Sequence, residues 1–171
     1  MALNIPAGVS SNATVRVTFV PDGGVANPAA PTVSELEAGT DISCHLMADG
    51  FNPGAEEATT DGRRLCSPQS YEIVGAIKYT IDDLVYVYDV QNPGSDTNAA
   101  YEALEPGTTG YLFVRWGLDV EVPWAAGQVV DGYEVRLGQR RKQQPEADNE
   151  LKVAQKPSVL QRVAEDYALT A

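Results

Sequence analysis

The sequence predicts a mainly β fold of antiparallel strands, with one or two short helices between them. Three observations predict it. Apolar residues recur with period two in several stretches, the spacing of a strand that buries one face. Fifteen Gly and 11 Pro among 171 residues supply frequent turns and oppose long helices. The gaps between candidate strands are mostly short, which favours antiparallel pairing over crossover connections.

Val15, Val17 and Phe19 alternate with Thr14, Arg16 and Thr18, and Pro21-Asp22-Gly23-Gly24 ends this first strand with turn chemistry. Thr32-Val33-Ser34-Glu35 has capping-box spacing, so a short helix is expected to begin there and stop at Gly39. Asp41–Met47 is a weaker strand candidate. From Tyr71 to Ile81 an apolar row (Tyr71, Ile73, Ile77, Tyr79, Ile81) alternates with Glu72, Lys78 and Thr80. This long, half-exposed strand is expected to continue through Leu84–Tyr88, where both faces turn apolar. Ser95, Asp96 and Thr97 are cap candidates for a second helix, Asn98–Leu104, which Pro106-Gly107 ends. Gly110–Leu118 and Gln128–Leu137 alternate again, and Asp131-Gly132 marks a bulge or tight turn in the second. Leu151–Ala154 and Gln161–Tyr167 bring the set to about seven to nine strands. No internal repeat and no composition break divides the chain, so residues 1–171 are expected to form one domain.

Charge is distributed unevenly. The chain carries 12 basic and 24 acidic residues, a formal net charge of -12. Residues 1–135 hold five basic and 19 acidic residues, a net of -14, whereas residues 136–171 hold seven and five, a net of +2. So acidic a body is a poor match for gripping a phosphate backbone. Arg140, Arg141 and Lys142 form the one dense positive run, in what reads as a polar loop over residues 139–147. Two roles fit it: a solvated hairpin tip, or an arm reaching an acidic surface on another copy of the chain.

Catalytic and metal devices find few residues to use. His45 is the only histidine, and Cys44 beside it would point to the opposite face of a strand. A small buried thiol next to a surface imidazole is the expectation. Cys44, His45 and Cys66 lack C-x-x-C or H-x-x-x-H spacing, so no metal is expected. The adjacent carboxylate pairs Glu56-Glu57 and Asp82-Asp83 diverge on strands. No G-x-x-x-x-G-K-[ST] or G-x-G-x-x-G loop cradles a phosphate, and no cofactor is expected. Nowhere do 18 apolar residues run together, so no membrane-spanning helix is expected. The chain reads as a protein without an active site.

Particular stretches carry a resemblance. They are Ser34-Glu35-Leu36-Glu37-Ala38-Gly39-Thr40-Asp41 leading into Ala48-Asp49-Gly50-Phe51-Asn52-Pro53-Gly54, then Val85-Tyr86-Val87-Tyr88-Asp89, Tyr101-Glu102-Ala103-Leu104 and Val114-Arg115-Trp116-Gly117. In this order, with Gln143–Lys156 near the end, the chain resembles the major tail tube proteins of long-tailed, siphovirus-type bacteriophages, especially those of actinobacterial hosts. The resemblance implies a β-sandwich or split barrel with a flanking helix. It implies six copies closing a ring, and rings stacking into a hollow tube through which duplex DNA leaves without specific binding. Tape measure, tail initiator and tail terminator proteins would be its partners, the virion tail its location, and the host cytoplasm its place of synthesis. No site residue is carried over; Arg140, Arg141 and Lys142 are inter-subunit candidates on charge alone. A different class of function also fits the residues: a small β-sandwich binding module or capsid decoration protein, with Tyr79, Tyr86 and Tyr88 as an aromatic platform.

Overall fold

Alternating apolar positions call for a sheet with a covered face, and the chain builds one. The computed structural model describes residues 6–171. In chain order it has β1 (Val15–Pro21), α1 (Val33–Ala38), β2 (Thr40–Asp41), β3 (Pro53–Arg63), β4 (Ser70–Ile81) and β5 (Leu84–Val87). Then follow α2 (Ala99–Ala103), β6 (Thr109–Trp116), β7 (Val129–Lys142) and β8 (Lys152–Ala168). Six strands form one antiparallel sheet in the order β2-β1-β6-β7-β8-β5, while β3 and β4 pair only with each other. The expected mainly β, antiparallel fold with two short helices is the one adopted, and the large sheet curls into a half-barrel.

Residues 42–50 join the two edges of the curl. The Ile42 amide donates to the Val17 carbonyl on the β1 side (3.0 Å), and the Met47 amide donates to Val85 on the β5 side (2.9 Å). Gly50 lets this segment approach so closely. A Cβ there would stand 2.4 Å from the Val85 carbonyl oxygen.

Successive residues of a strand point to opposite faces, so the sheet has a cluster on each. On one side Val17, Phe19, Leu112, Val114, Val135 and Leu137 pack against Ile42, Leu84, Tyr86, Ala100 of α2 and Leu104, which caps it. On the other, Val20, Phe113 and Val130 meet Leu36 of α1, Trp124 and Leu169. Each large side chain so buried contributes roughly 1.5–3 kcal/mol. Thr32 caps α1 as its sequence predicts, with its hydroxyl accepting from the Glu35 amide and the Glu35 carboxylate accepting from the Thr32 amide.

Several expectations are corrected. The Asp41–Met47 strand shrinks to Thr40–Asp41, because Ser43 turns the chain by bonding the Asp41 carboxylate (2.6 Å). β4 does not run on into β5: the two belong to different sheets, parted at Asp82-Asp83. The two short candidates after residue 151 are one strand, β8. Its Pro157, which cannot donate, sits where the register with β7 slips between Leu137 and Arg140. A further slip between Val130 and Gly132 is the bulge that Asp131-Gly132 signals. Asp96–Asn98 forms a 3-10 turn before α2, and Ser95 gives it no side-chain cap. β3 has no counterpart among the sequence-derived strands.

Candidate assembly surfaces

The β3–β4 pair leaves the sheet as a two-stranded ribbon. Its base is tied where the Asp82 amide donates to the Asn52 carbonyl (3.1 Å) and the Asn52 side chain donates to the Asp82 carboxylate (2.8 Å). From there Asp82 faces Lys156, and Tyr79 lies beneath the Arg162 guanidinium, 4.4 Å from the ring centroid. β4 therefore runs antiparallel beside β8, and the tip is carried towards the Ala168 end of that strand. Of the ribbon's apolar residues only Ile81, at the base, enters a core cluster. Tyr71, Ile73, Val74 and Ile77 are 42–61% exposed, and Leu65 at the tip is fully so.

β8 offers a second unfinished surface. β7 pairs with it along its length, but β5 covers its other side only from Lys152 to Gln155. Residues 156–168 form no ladder on that outer edge. Such an edge presents backbone donors and acceptors to any strand that can reach it.

The cationic run stands at the end of β7 rather than in a loop. The strand continues through Lys142, and the irregular connection covers residues 143–151. Arg140 is held within the chain: it stacks on Tyr101 at 3.9 Å and donates to the carbonyls of Tyr101 and Leu104 at the end of α2. Arg141 pairs with Asp83 and is 64% exposed. The Lys142 ammonium lies 5.5 Å from the Tyr88 ring centroid, its residue exposed.

The remaining candidates divide. Tyr86 is fully buried, donates to Gln155 (2.8 Å), and has its pKa raised by that burial. Tyr88 stacks on Tyr101, so Tyr79, Tyr86 and Tyr88 form no shared platform. A ring nitrogen of His45, Nε2, sits 2.6 Å from the Asp96 carbonyl, tying the 42–50 segment to the turn before α2. Cys44 and Cys66 are free and exposed, contrary to the expected buried thiol. Cys66 belongs to the ribbon tip, which sequence reasoning missed. Arg63-Arg64-Leu65-Cys66-Ser67-Pro68 ahead of the Tyr71–Ile81 alternation is its only sequence signal.

Residues 2–171 match the family described as phage tail tube protein. The chain belongs to that family. It is thus a structural component of the phage tail, and the tail tube family is not an enzyme family. A chain from the cryo-EM structure of the anti-feeding prophage baseplate, six-fold symmetrised, has a similar fold. The match has a TM-score of 0.56 at 10% identity, over 94% of this chain and 95% of that one. No curated protein matches the chain.

Proposed function

We propose that this tail tube family member is the repeating subunit of the tube in a siphovirus-type phage, with six copies per ring. Stacked rings make a hollow conduit for DNA. The observation that carries the proposal is the β3–β4 ribbon: a long two-stranded element with no core of its own is marginal in water until another surface covers it. The outer edge of β8, which β4 runs beside without forming a ladder, supports ring closure, because strands shared between copies remove edges that invite aggregation. Six copies follow the symmetry of the similar baseplate assembly. A single 171-residue chain has too few strands to enclose a duplex, since even a porin-sized channel takes roughly 16–18.

A net charge of -12 suits a wall that DNA slides past rather than binds. Of the cationic run, the exposed Lys142 and Arg141, the latter by sharing its pairing with Asp83, meet carboxylates of a neighbouring copy, while Arg140 supports them from within. Tape measure, initiator and terminator proteins complete the tail in the virion, after synthesis in the host cytoplasm. The resemblance of the 34–54 and 85–89 stretches extends the proposal to an actinobacterial host.

The test is assembly. Six copies of 18.3 kDa give a ring of about 110 kDa. Light scattering should detect it, and negative-stain microscopy should show rings or hollow tubes as concentration rises. A protein that stays monomeric at every concentration, even with tail initiator proteins present, overturns the proposal.

A further inference from the structure

Between the start of β1 and the 42–50 segment lies an apolar groove of about 470 Å³. Val15, Met47, Phe51 and Trp116 line it, together with Cys44. Phe51 and Trp116 approach to 6.3 Å between ring centroids, and Trp116 remains 45% exposed. An aromatic-lined hollow of this size takes an aliphatic side chain and its neighbours, and burying one there releases ordered water from both surfaces.

The chain's own ribbon tip is kept away from this groove. Phe51 lines the groove and β3 starts at Pro53, so the ribbon begins where the groove ends. Ten strand residues at about 3.3 Å each carry Arg63 roughly 33 Å from that origin. The tip nevertheless has the chemistry the groove lacks. Leu65 is fully exposed, and Arg63 and Arg64 beside it enter no ion pair among the described residues. Asp49 and Asp119, next in sequence to the lining residues Ala48 and Val120, are likewise exposed and outside every ion pair found among those residues.

We propose that the ribbon tip of one copy docks in this groove of a second copy, with Leu65 against Phe51 and Trp116. Arg63 and Arg64 then meet Asp49 and Asp119, and Cys66 comes beside Cys44. The inference rests on the self-assembly proposed above and names its contact. The contact is heterologous: every bound pair leaves one tip and one groove free, so it propagates around a ring or along a stack.

The native thiols make the test direct. A short bis-maleimide linker, added under assembly conditions, should join Cys66 of one copy to Cys44 of the next and give a ladder of dimers, trimers and higher species. Cys44→Ser and Cys66→Ser should each abolish the ladder, and a mixture of the two variants should restore dimers alone. Leu65→Asp should keep the parent's circular dichroism and raise the concentration needed for assembly at least tenfold. Rings or tubes that form without Cys44–Cys66 linkage, and that tolerate Leu65→Asp, overturn this docking and leave the proposed function standing. A chain that never self-associates overturns both.

Discussion

Arg115 shows how much of this molecule depends on single polar residues placed by tertiary structure. It is fully buried, yet it makes no salt bridge among the described residues; its guanidinium donates to the carbonyls of Asp119, Val122 and Pro123 and to the Gln128 side chain. Trp124 packs 5.0 Å away. Burial, and then the nearby Arg16 cation, lower its pKa, but arginine begins so high that it stays charged. Arg115→Ala removes several part-buried hydrogen bonds made by a charged donor, each worth about 1.5–3 kcal/mol, so denaturant unfolding should show a loss of at least about 3 kcal/mol. Nothing near Arg115 in sequence announces this, because its partners are mostly backbone carbonyls of the irregular β6–β7 connection, which carry no residue-type signal. The α1 cap is the opposite case, legible because all its atoms lie within four residues. Thr32→Ala should cost about 0.5–2 kcal/mol. Glu35 adds a pH dependence: the Ala26 amide and then the Thr32 amide hold its carboxyl below the usual range. A depressed folded-state pKa means this contribution is complete above the unfolded value and is lost as pH falls through the folded one. Glu35→Gln should therefore lower the melting temperature at pH 7, and the gap from the parent should close in strong acid.

Among the elements, the ribbon and the sheet give contrasting lessons. β1, β6 and β7 were readable because their alternation is satisfied inside one chain: Val17, Leu112 and Val135 all reach one cluster. β4 alternates as well, but the face its apolar row calls for is not buried in the monomer, and Ile73 and Ile77 stay about half exposed. Its pattern is the one the proposed assembly would satisfy and the subunit alone does not. β3 was invisible for a related reason. Pro53–Arg63 contains no Val, Ile, Leu or aromatic residue, and it is extended because β4 supplies its ladder. Replacing residues 54–80 with a short Gly-Ser turn should thus leave the half-barrel folded, with near-parent circular dichroism and a melting temperature within about 4 °C, a shift worth about 1 kcal/mol in a domain of this size. The same variant should form no rings or tubes. A truncated chain that unfolds would show the ribbon to be part of the subunit's own core.

At the scale of the whole molecule, the register gives the sheet two chemically different ends. Val129 lies opposite Ala168 and Lys142 opposite Val153, so β7 and β8 share one end near 129–131 and another near 140–142. The first end carries Asp131, Glu165 and Asp166, with Asp119 and Glu121 in the adjoining connection from β6. The second carries Arg140, Arg141, Lys142 and Lys152 on its strands, beneath a 143–151 connection that adds Glu146, Asp148 and Glu150. In the proposed tube, copies stacked end to end in one direction would set the strand cations of one ring towards the carboxylates of the next. One exposed ion pair contributes little, yet six pairs at ~0.5 kcal/mol amount to about 3 kcal/mol per ring, roughly a hundredfold in the stacking constant. Arg140 is unsuitable for testing this, because its bonds to α2 make any change there a folding change. The informative variant is Arg141→Glu with Lys142→Glu, and because Arg141 also pairs with Asp83, circular dichroism must first show an intact fold. Sedimentation should then find rings but few tubes. High salt, which shortens electrostatic reach to about 3 Å at 1 M, should reproduce that defect in the parent. Tubes of parent length from the double variant, insensitive to salt, would show that stacking is apolar and would shift the whole inter-ring contact onto the ribbon.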